Sequence, residues 1–419
     1  MANSYNALSF RNFRLFWVGQ FVSLIGTWMQ NTVQPYLAYQ LTNQPFYLGL
    51  IGFSASIPGL FITLPAGVYV EHMNKRIVVI IMQAVMMLQA FYLGYLTLAH
   101  LVTIWHIIIL SFILGAASSI EITARQAMIA ELISKNALPN AIALNSAIFN
   151  GARVIGPMLT APFLLLLQNN GIGWAFIANG ISYLFVLVSL LLIDSKPVLV
   201  PKLAQSSWMT DFKEGWTFIR ATPIIAILIM VVTIPSFFGF PYNNQIPVFA
   251  TNVFKALHDT EATVASRNSL LITAIGAGAL VAAIGLAFYS SMRRKGLLLT
   301  IGQLIFAVSL IAFSYTSSLS MGVFLLVMAG WGTVTQLALT NTLIQLAVPD
   351  SLRGRVISVY FWAQTGVAPF GSLFIGFLAQ VASAQVAVRV GGIVCLLGYL
   401  AVAIFKPVIW RNVREELTS

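Results

Sequence analysis

Residues 75–99 read KRIVVIIMQAVMMLQAFYLGYLTLA, two cations followed by a continuous apolar run that contains no charge. A helix crosses the hydrocarbon core of a bilayer with roughly 20 such residues. This run is long enough, and it is one of twelve. Working outward from it, the spans fall near 14–40, 46–70, 77–99, 102–126, 139–167, 173–193, 222–250, 267–291, 297–316, 319–347, 354–382 and 385–408. Backbone N–H and C=O groups inside lipid must be bonded within the chain, so these runs are read as helices. They are continuous rather than alternating, which excludes a transmembrane β-barrel. Hydrophobic residues make up 59% of the 419 and charged residues only 8%, with a mean hydropathy of +0.89. A soluble domain of this size needs far more charge to stay dispersed.

The cations give the orientation. With a cytoplasmic N-terminus, 18 of the 22 Lys and Arg fall inside: Arg11, Arg14, Lys75, Arg76, Arg125, Lys135, Lys196, Lys202, Lys213, Arg220, Arg293, Arg294, Lys295, Arg353, Arg355, Lys406, Arg411 and Arg414. Lys255 and Arg267 fall outside, and Arg153 and Arg389 lie within spans. This is the positive-inside asymmetry, and it predicts that both termini are cytoplasmic. The same loops produce the net charge of +11. Because the cations are spread over short loops and tails with no basic domain, a nucleic-acid partner is not expected. The first apolar stretch is too long for a signal-peptide core and is expected to remain as a span.

Composition excludes several chemistries. Cys395 is the single cysteine, which rules out an intrachain disulfide and a cysteine metal site. His72, His100, His106 and His258 show no ligand spacing, so neither a metal nor a cofactor is expected. Gly276-Ala-Gly278-Ala lies inside a span with no preceding strand, and is read as helix packing rather than a nucleotide loop. Outer segments are short apart from 251–266, and no enzyme is expected.

The chain repeats itself at half its length. Ser23, Gly26, Gln30 and Asn31 recur 213 residues later as Ser236, Gly239, Asn243 and Asn244. Gly67, Glu71, Lys75 and Arg76 correspond to Gly285, Tyr289, Arg293 and Arg294 at an offset of 218. Gly151 and Gly156 match Gly366 and Gly371 at 215. Two six-helix bundles, 1–193 and 222–419, follow from this, in the duplicated pattern of secondary transporters, where a substrate site is expected at the repeat interface. Between them, 194–221 is read as a cytoplasmic linker. Asp211 and Glu214 suit a capping box, and Phe212, Trp216 and Ile219 share a face. That helix either lies in the membrane interface or is a simple tether.

These residues resemble the major facilitator superfamily. Gly67-Val-Tyr-Val-Glu71-His-Met-Asn74-Lys75-Arg76 is similar to its signature loop G-x-x-x-D-R-x-G-R-R, with Glu71, His72 and Asn74 departing from the pattern. Pro349-Asp350-Ser-Leu-Arg353-Gly354-Arg355 is similar to the loop between helices 10 and 11 of many members. FRNFRLFWVGQFVSLIGTWMQ (10–30), ARQAMIAEL (124–132), NAIALNSAIFNGARVIGP (140–157), DFKEGWTFIRATP (211–223) and FGFPYNNQIPVFA (238–250) resemble the branch containing enterobactin exporters and transmembrane secretion effectors. The resemblance implies an all-helical protein of the bacterial inner membrane, with twelve spans, acting as a monomer by alternating access.

Candidate site residues come from polar groups placed in apolar surroundings. Gln30, Asn31 and Gln34 with Asn243, Asn244 and Gln245 form a set of amides that calls for water or substrate, and all but Gln245 are candidate substrate contacts. Ser146, Asn150, Arg153, Pro157 and Thr160 form a stripe on the fifth span. Arg153 lies about 20 Å along its helix from Pro139, too deep to snorkel with ease, and is a candidate for an anionic substrate group. Glu121 is the one deep carboxylate; it either pairs structurally with Arg125 one turn away or carries a coupling proton. Gly67, Glu71, Lys75, Arg76, Arg125, Asp350, Arg353 and Arg355 are candidate gating residues. Pro157 and Pro241 are expected to bend their helices.

The resemblance implies a proton-coupled exporter of an amphipathic small molecule, siderophore or drug-like, working in the lipid bilayer with protons as its second partner. Inward transport of a siderophore or its iron complex is the alternative. A non-transporting membrane protein would be expected to carry a signalling domain or a long charged tail, and neither is expected here.

Overall fold

The computed structural model describes residues 6–71, 73–194, 208–288, 294–349 and 352–405. Among them there is no strand. The long helices are α1 (Arg11–Thr42), α2 (Pro45–Glu71), α3 (Lys75–Leu98), α4 (Ile104–Leu132), α5 (Leu138–Leu167) and α6 (Gly171–Leu191). A shorter α7 (Trp208–Ala221) follows, then α8 (Pro223–Val253). The chain continues with α9 (Glu261–Phe288), α10 (Lys295–Phe313), α11 (Leu319–Ala347), α12 (Arg353–Val381) and α13 (Ala384–Phe405). Eleven of these are long and apolar enough to cross a membrane. The twelfth span, α1, is 32 residues long, but Gln20, Ser23, Thr27, Gln30, Asn31 and Gln34 dilute its apolar character.

Local chemistry sets the helix ends. Asn43 stops α1 in the left-handed region at φ 52°, with its N–H bonded to the carbonyl of Tyr39 at 2.7 Å; Asn tolerates that conformation better than most residues. Asn74 caps α3 by accepting from the Ile77 N–H. Thr103 and His106 form a reciprocal capping box at the start of α4. In α8 the bend expected at Pro241 is one of three, because Pro235, Pro241 and Pro247 recur every six residues. Each removes a backbone donor. The backbone responds with π-helical turns over Pro235–Gly239 and Phe249–Val253 and a 3-10 stretch over Phe240–Gln245.

The chain forms two compact units. The first holds α1, α2 from Ser54 onward, α3 to α6, and Lys255–Thr273 at the start of α9. The second holds Gln44–Phe53, α7, α8, α9 from Ala274, and α10 to α13. Each unit packs around its own glycines, and the packing repeats. A Cβ at Gly156 on α5 would come within 2.8 Å of the Ile25 carbonyl on α1, and one at Gly371 on α12 within 2.7 Å of the Phe237 Cα on α8. Gly115 on α4 faces the Ala55 carbonyl, and Gly330 on α11 faces the Ile275 carbonyl. Small residues allow backbones to approach where lipid supplies no hydrophobic drive between helices.

In the second unit α7 is docked by one face. Ile219 is buried, Phe212 meets Trp362 edge-on at 5.4 Å, and Glu214 forms an ion pair with Arg355. Trp216, grouped with Phe212 and Ile219 by spacing, is turned 39% outward instead. It stands at the edge of the apolar stripe, where the helix surface leaves the protein.

Candidate functional site

The first unit has a polar heart. Gln30 donates to Gln34 at 2.9 Å and to Gln89 at 3.1 Å, and accepts from Asn179 at 2.7 Å. Gln34 donates to the Ser111 hydroxyl at 2.6 Å. Four helices, α1, α3, α4 and α6, are tied together by these amides. Asn31, the next residue along, is turned about 100° away and is exposed. The structure therefore separates Gln30 and Gln34, which have protein partners, from Asn31, which faces outward.

One level along α4 the heart becomes charged. The Glu121 Oε1 atom accepts from Arg125 Nε at 2.9 Å and from Gln83 Nε2 at 3.0 Å. Arg125 also donates to the Asn145 side-chain oxygen at 3.3 Å. Both charges are nearly fully buried, at 3% and 7% exposure. A second pair, Lys75 with Glu131, closes at 2.7 Å between the start of α3 and the end of α4. Spacing did not single out Glu131, although it stands in the ARQAMIAEL stretch. Arg76 donates to the carbonyls of Leu190 and Leu191 at 2.7 and 2.9 Å, capping the C-terminal end of α6, where the helix dipole favours a cation. Lys75 and Arg76 thus make these bonds within their own unit. Of the other gating candidates, Asp350 lies outside the described residues, as do the side-chain surroundings of Gly67 and Glu71. Arg353 opens α12 and is exposed; Arg355 holds Glu214.

On α5 an exposed stripe faces away from this heart. Ser146 and Phe149 are exposed and Asn150 and Arg153 half-exposed, one helical face at spacings of three and four. The Arg153 guanidinium lies 5.5 Å from the centroid of the Trp28 ring on α1, and Phe149 meets Trp28 edge-on at 5.8 Å. A cation held on an indole face is stabilised by the ring quadrupole. In the second unit, Asn243 and Asn244 on α8 are half-buried, and Asn244 donates to the Ser372 hydroxyl at 3.2 Å. Gln245 is fully buried.

The repeat offset exposes an asymmetry. At 215 residues Glu121 corresponds to Gln336 and Arg125 to Thr340. Both are buried on α11, with Gln336 accepting from the Tyr399 hydroxyl at 2.9 Å. The ion pair of one repeat is therefore an amide and a hydroxyl in the other. The signal was present in the sequence and needed only the offset applied to the fourth and tenth spans.

Outside the spans, Asp259 accepts from the Ala256 N–H at 2.6 Å and from Arg267 at 2.5 Å. These hydrogen bonds, the backbone one first, hold its carboxyl below the ordinary carboxylate range.

Comparison with known proteins adds the lineage. A family model described as transmembrane secretion effector matches residues 2–415. The chain is 23% identical over 377 residues to a staphyloferrin A transporter of Staphylococcus aureus, covering 88% of this chain and 89% of that one. It is 22% identical over 355 residues to the multidrug efflux pump Tap of Mycolicibacterium fortuitum, covering 83% and 84%. An enterobactin exporter of Shigella boydii is 22% identical over 377 residues, covering 88% and 85%. Among solved structures, a mutant of the nucleoside transporter NupG superposes with a TM-score of 0.72 at 13% identity, over 94% of this chain and 100% of that one.

Proposed function

This chain belongs to the transmembrane secretion effector family of major facilitator transporters, and from that premise we propose that it exports an amphipathic organic anion by proton-coupled alternating access. The observation that carries the reading is the stripe on α5. Exposed Ser146 and half-exposed Asn150 and Arg153 put polar groups on one face of a helix long enough to span the membrane. Polar side chains facing hydrocarbon are costly, so such a face belongs to a water-filled or substrate-filled path. Arg153 supplies a planar, permanently charged fork that matches a carboxylate or catecholate in a bidentate way. Trp28 and Phe149 beside it offer ring surfaces to the apolar part of the same molecule. Asn31, exposed on α1, is proposed for the same role, while Gln30 and Gln34 hold α1 in place through their bonds within the first unit. For Asn243 and Asn244 the proposed role is a substrate contact made from α8.

Glu121 is the proposed proton carrier. It is the one acidic residue deep within a span, and its partner Arg125 gives the empty carboxylate a counter-charge when the proton leaves. The named relatives include siderophore transporters and a drug efflux pump, which supports an organic, amphipathic cargo. Orientation, with both termini cytoplasmic, rests on the distribution of cations.

Binding on purified protein tests this directly. A panel of carboxylate and catecholate siderophores is set against cationic dyes, with Arg153→Lys as the variant. The anions are expected to bind wild type and to lose about tenfold or more in affinity when the fork becomes an ammonium. Equal affinity of both proteins for every ligand that binds would remove Arg153 from the site. Uptake into inverted and right-side-out vesicles then reports the direction.

A further inference from the structure

The exposed side of α7 has no part in the transport reading, and its chemistry is specific. Lys213, Trp216, Thr217 and Arg220 fall at spacings of three, four and seven, which places them on adjoining positions of one helical face. All four are exposed. The Arg220 guanidinium stacks 5.1 Å from the Trp216 ring centroid. The opposite face is fixed to the second unit through Ile219, Phe212 on Trp362, and Gly215 against the Arg355 backbone. Glu214 is ion-paired with Arg355. What remains outward is a cationic surface with an indole and a hydroxyl in it.

The position of this surface matters as much as its charge. Thr222 alone separates α7 from Pro223, where the apolar run of α8 begins. The helix therefore lies at the depth where a span enters the bilayer, the level of lipid headgroups. Tryptophan favours that level because its ring is apolar and its N–H polar. Trp362, which is also 39% exposed, extends the aromatic edge beneath Phe212.

We propose that Lys213, Trp216, Thr217 and Arg220 bind the headgroup of an anionic phospholipid in the leaflet at which α8 enters the membrane. The phosphate oxygens are acceptors only. They match the guanidinium of Arg220, which the Trp216 ring holds in one plane, and the ammonium of Lys213, whose long stem lets it reach upward. The glycerol and first acyl carbons lie against the Trp216 ring. A merely solvated cationic face has no use for an indole stacked in its centre. The site anchors α7, and with it the cytoplasm-facing end of α12 that α7 grips through Arg355.

The test is competitive lipid retention by the whole protein, in mixed micelles of phosphatidylcholine and phosphatidylglycerol, read by native mass spectrometry. Wild type is expected to retain phosphatidylglycerol in preference. Lys213→Gln with Arg220→Gln should weaken that preference by roughly fivefold per charge removed. Trp216→Ala alone should also weaken it, and 0.5 M salt should reduce it in wild type. Glycerol 3-phosphate in solution should not displace the lipid, which separates a membrane headgroup from a free phosphate. Lys135→Gln, an exposed cation on another loop, should leave the preference unchanged. Both α7 variants should melt as wild type does in phosphatidylcholine alone, because the docked face is untouched. Undiminished retention in the double variant would overturn the proposal. So would an equal loss on Lys135→Gln, which would mean that any surface cation serves.

Discussion

Glu121 and Arg125 can be neutralised in a way the protein has already tried. The second repeat carries Gln336 and Thr340 at the corresponding buried positions, so the double variant Glu121→Gln with Arg125→Thr copies one half of the chain into the other. Arg125→Thr alone leaves a buried carboxylate whose remaining donor is Gln83 at 3.0 Å. Glu121→Gln alone leaves a buried guanidinium with Asn145 at 3.3 Å. Removing one member of a buried pair costs about 3–5 kcal/mol, whereas replacing both with neutral groups is often close to neutral. The two single losses would sum to about 6–10 kcal/mol, and the double variant is expected to lose no more than about 3 kcal/mol. The assay is a double-mutant cycle on reversible unfolding in mixed micelles, run beside substrate transport in proteoliposomes. Stability and function should part company here. The double variant should fold well, and transport driven by a pH gradient should vanish in it while counterflow of substrate persists. Single losses that add to within about 0.5 kcal/mol would refute the pair as a unit. Full pH-driven transport by Glu121→Gln would refute the proton role.

Other outcomes follow from the same structure. Gly156→Ala and Gly371→Ala should each lower the melting temperature, by a cost of about 1–3 kcal/mol, because each Cβ meets backbone of the facing helix within 3 Å. Gly151→Ala, whose Cβ would meet only the Phe21 ring edge at 3.8 Å, should stay within about 0.5 kcal/mol of wild type; equal losses at all three would refute the packing argument. Lys75→Met should destabilise the chain, since it strands Glu131 at the end of α4, and Lys75→Met with Glu131→Gln should recover part of the loss in the same unfolding assay. Asp259 gives a pH dependence with a definite sign. Its folded pKa lies below the ordinary 3.8, so its contribution is complete above that value and is lost as pH falls through the folded pKa. Asp259→Asn should lower the melting temperature at neutral pH, where the contribution is complete, and flatten its fall in the acid range, where the two proteins converge; an unchanged acid limb would remove the carboxylate from the account.

Hydrophobic patterning carried most of the fold. The spans were legible because bilayer thickness fixes their length, and of the glycines that repeat at one offset, Gly156 and Gly371 do admit the backbone of a facing helix. Backbone irregularity was less so: Pro241 announced a bend, but the run of π and 3-10 turns needed the combined effect of three prolines, which no single-residue rule supplies. In the site, helical spacing put Gln30, Asn31 and Gln34 together, yet the amides divide between the inside and the outside of the first unit. Periodicity gives an angle around a helix axis and says nothing about which neighbour fills it. Lys75 is the plainest case. A cation in a basic loop reads as solvated, and its partner Glu131 lies 56 residues away on another helix.

The asymmetry between repeats bears on how coupling could arise at all. A duplicated chain begins with two equivalent cores, each closed by the fourth helix of its half. If both kept a carboxylate, two protons would have to move, and each buried pair would add its own desolvation cost. Here one core keeps Glu121, Arg125 and Gln83 within hydrogen-bond reach of one another, while its counterpart keeps shape and polarity through Gln336, Thr340 and Tyr399 without a charge. The neutral core can pack the same helices with no titration. On the proposed role of Glu121, only the charged core carries a proton, and the neutral one has none to follow it. On that proposal, a buried ion pair that adds little net stability has a reason to persist in one half alone. It also fixes where a loss of coupling should be sought, on α4 and its contacts rather than on α11. Introducing a carboxylate at Gln336→Glu should therefore destabilise the chain, because no guanidinium waits at Thr340, and should add no second coupled proton; a measured rise in protons moved per substrate would overturn this assignment of roles.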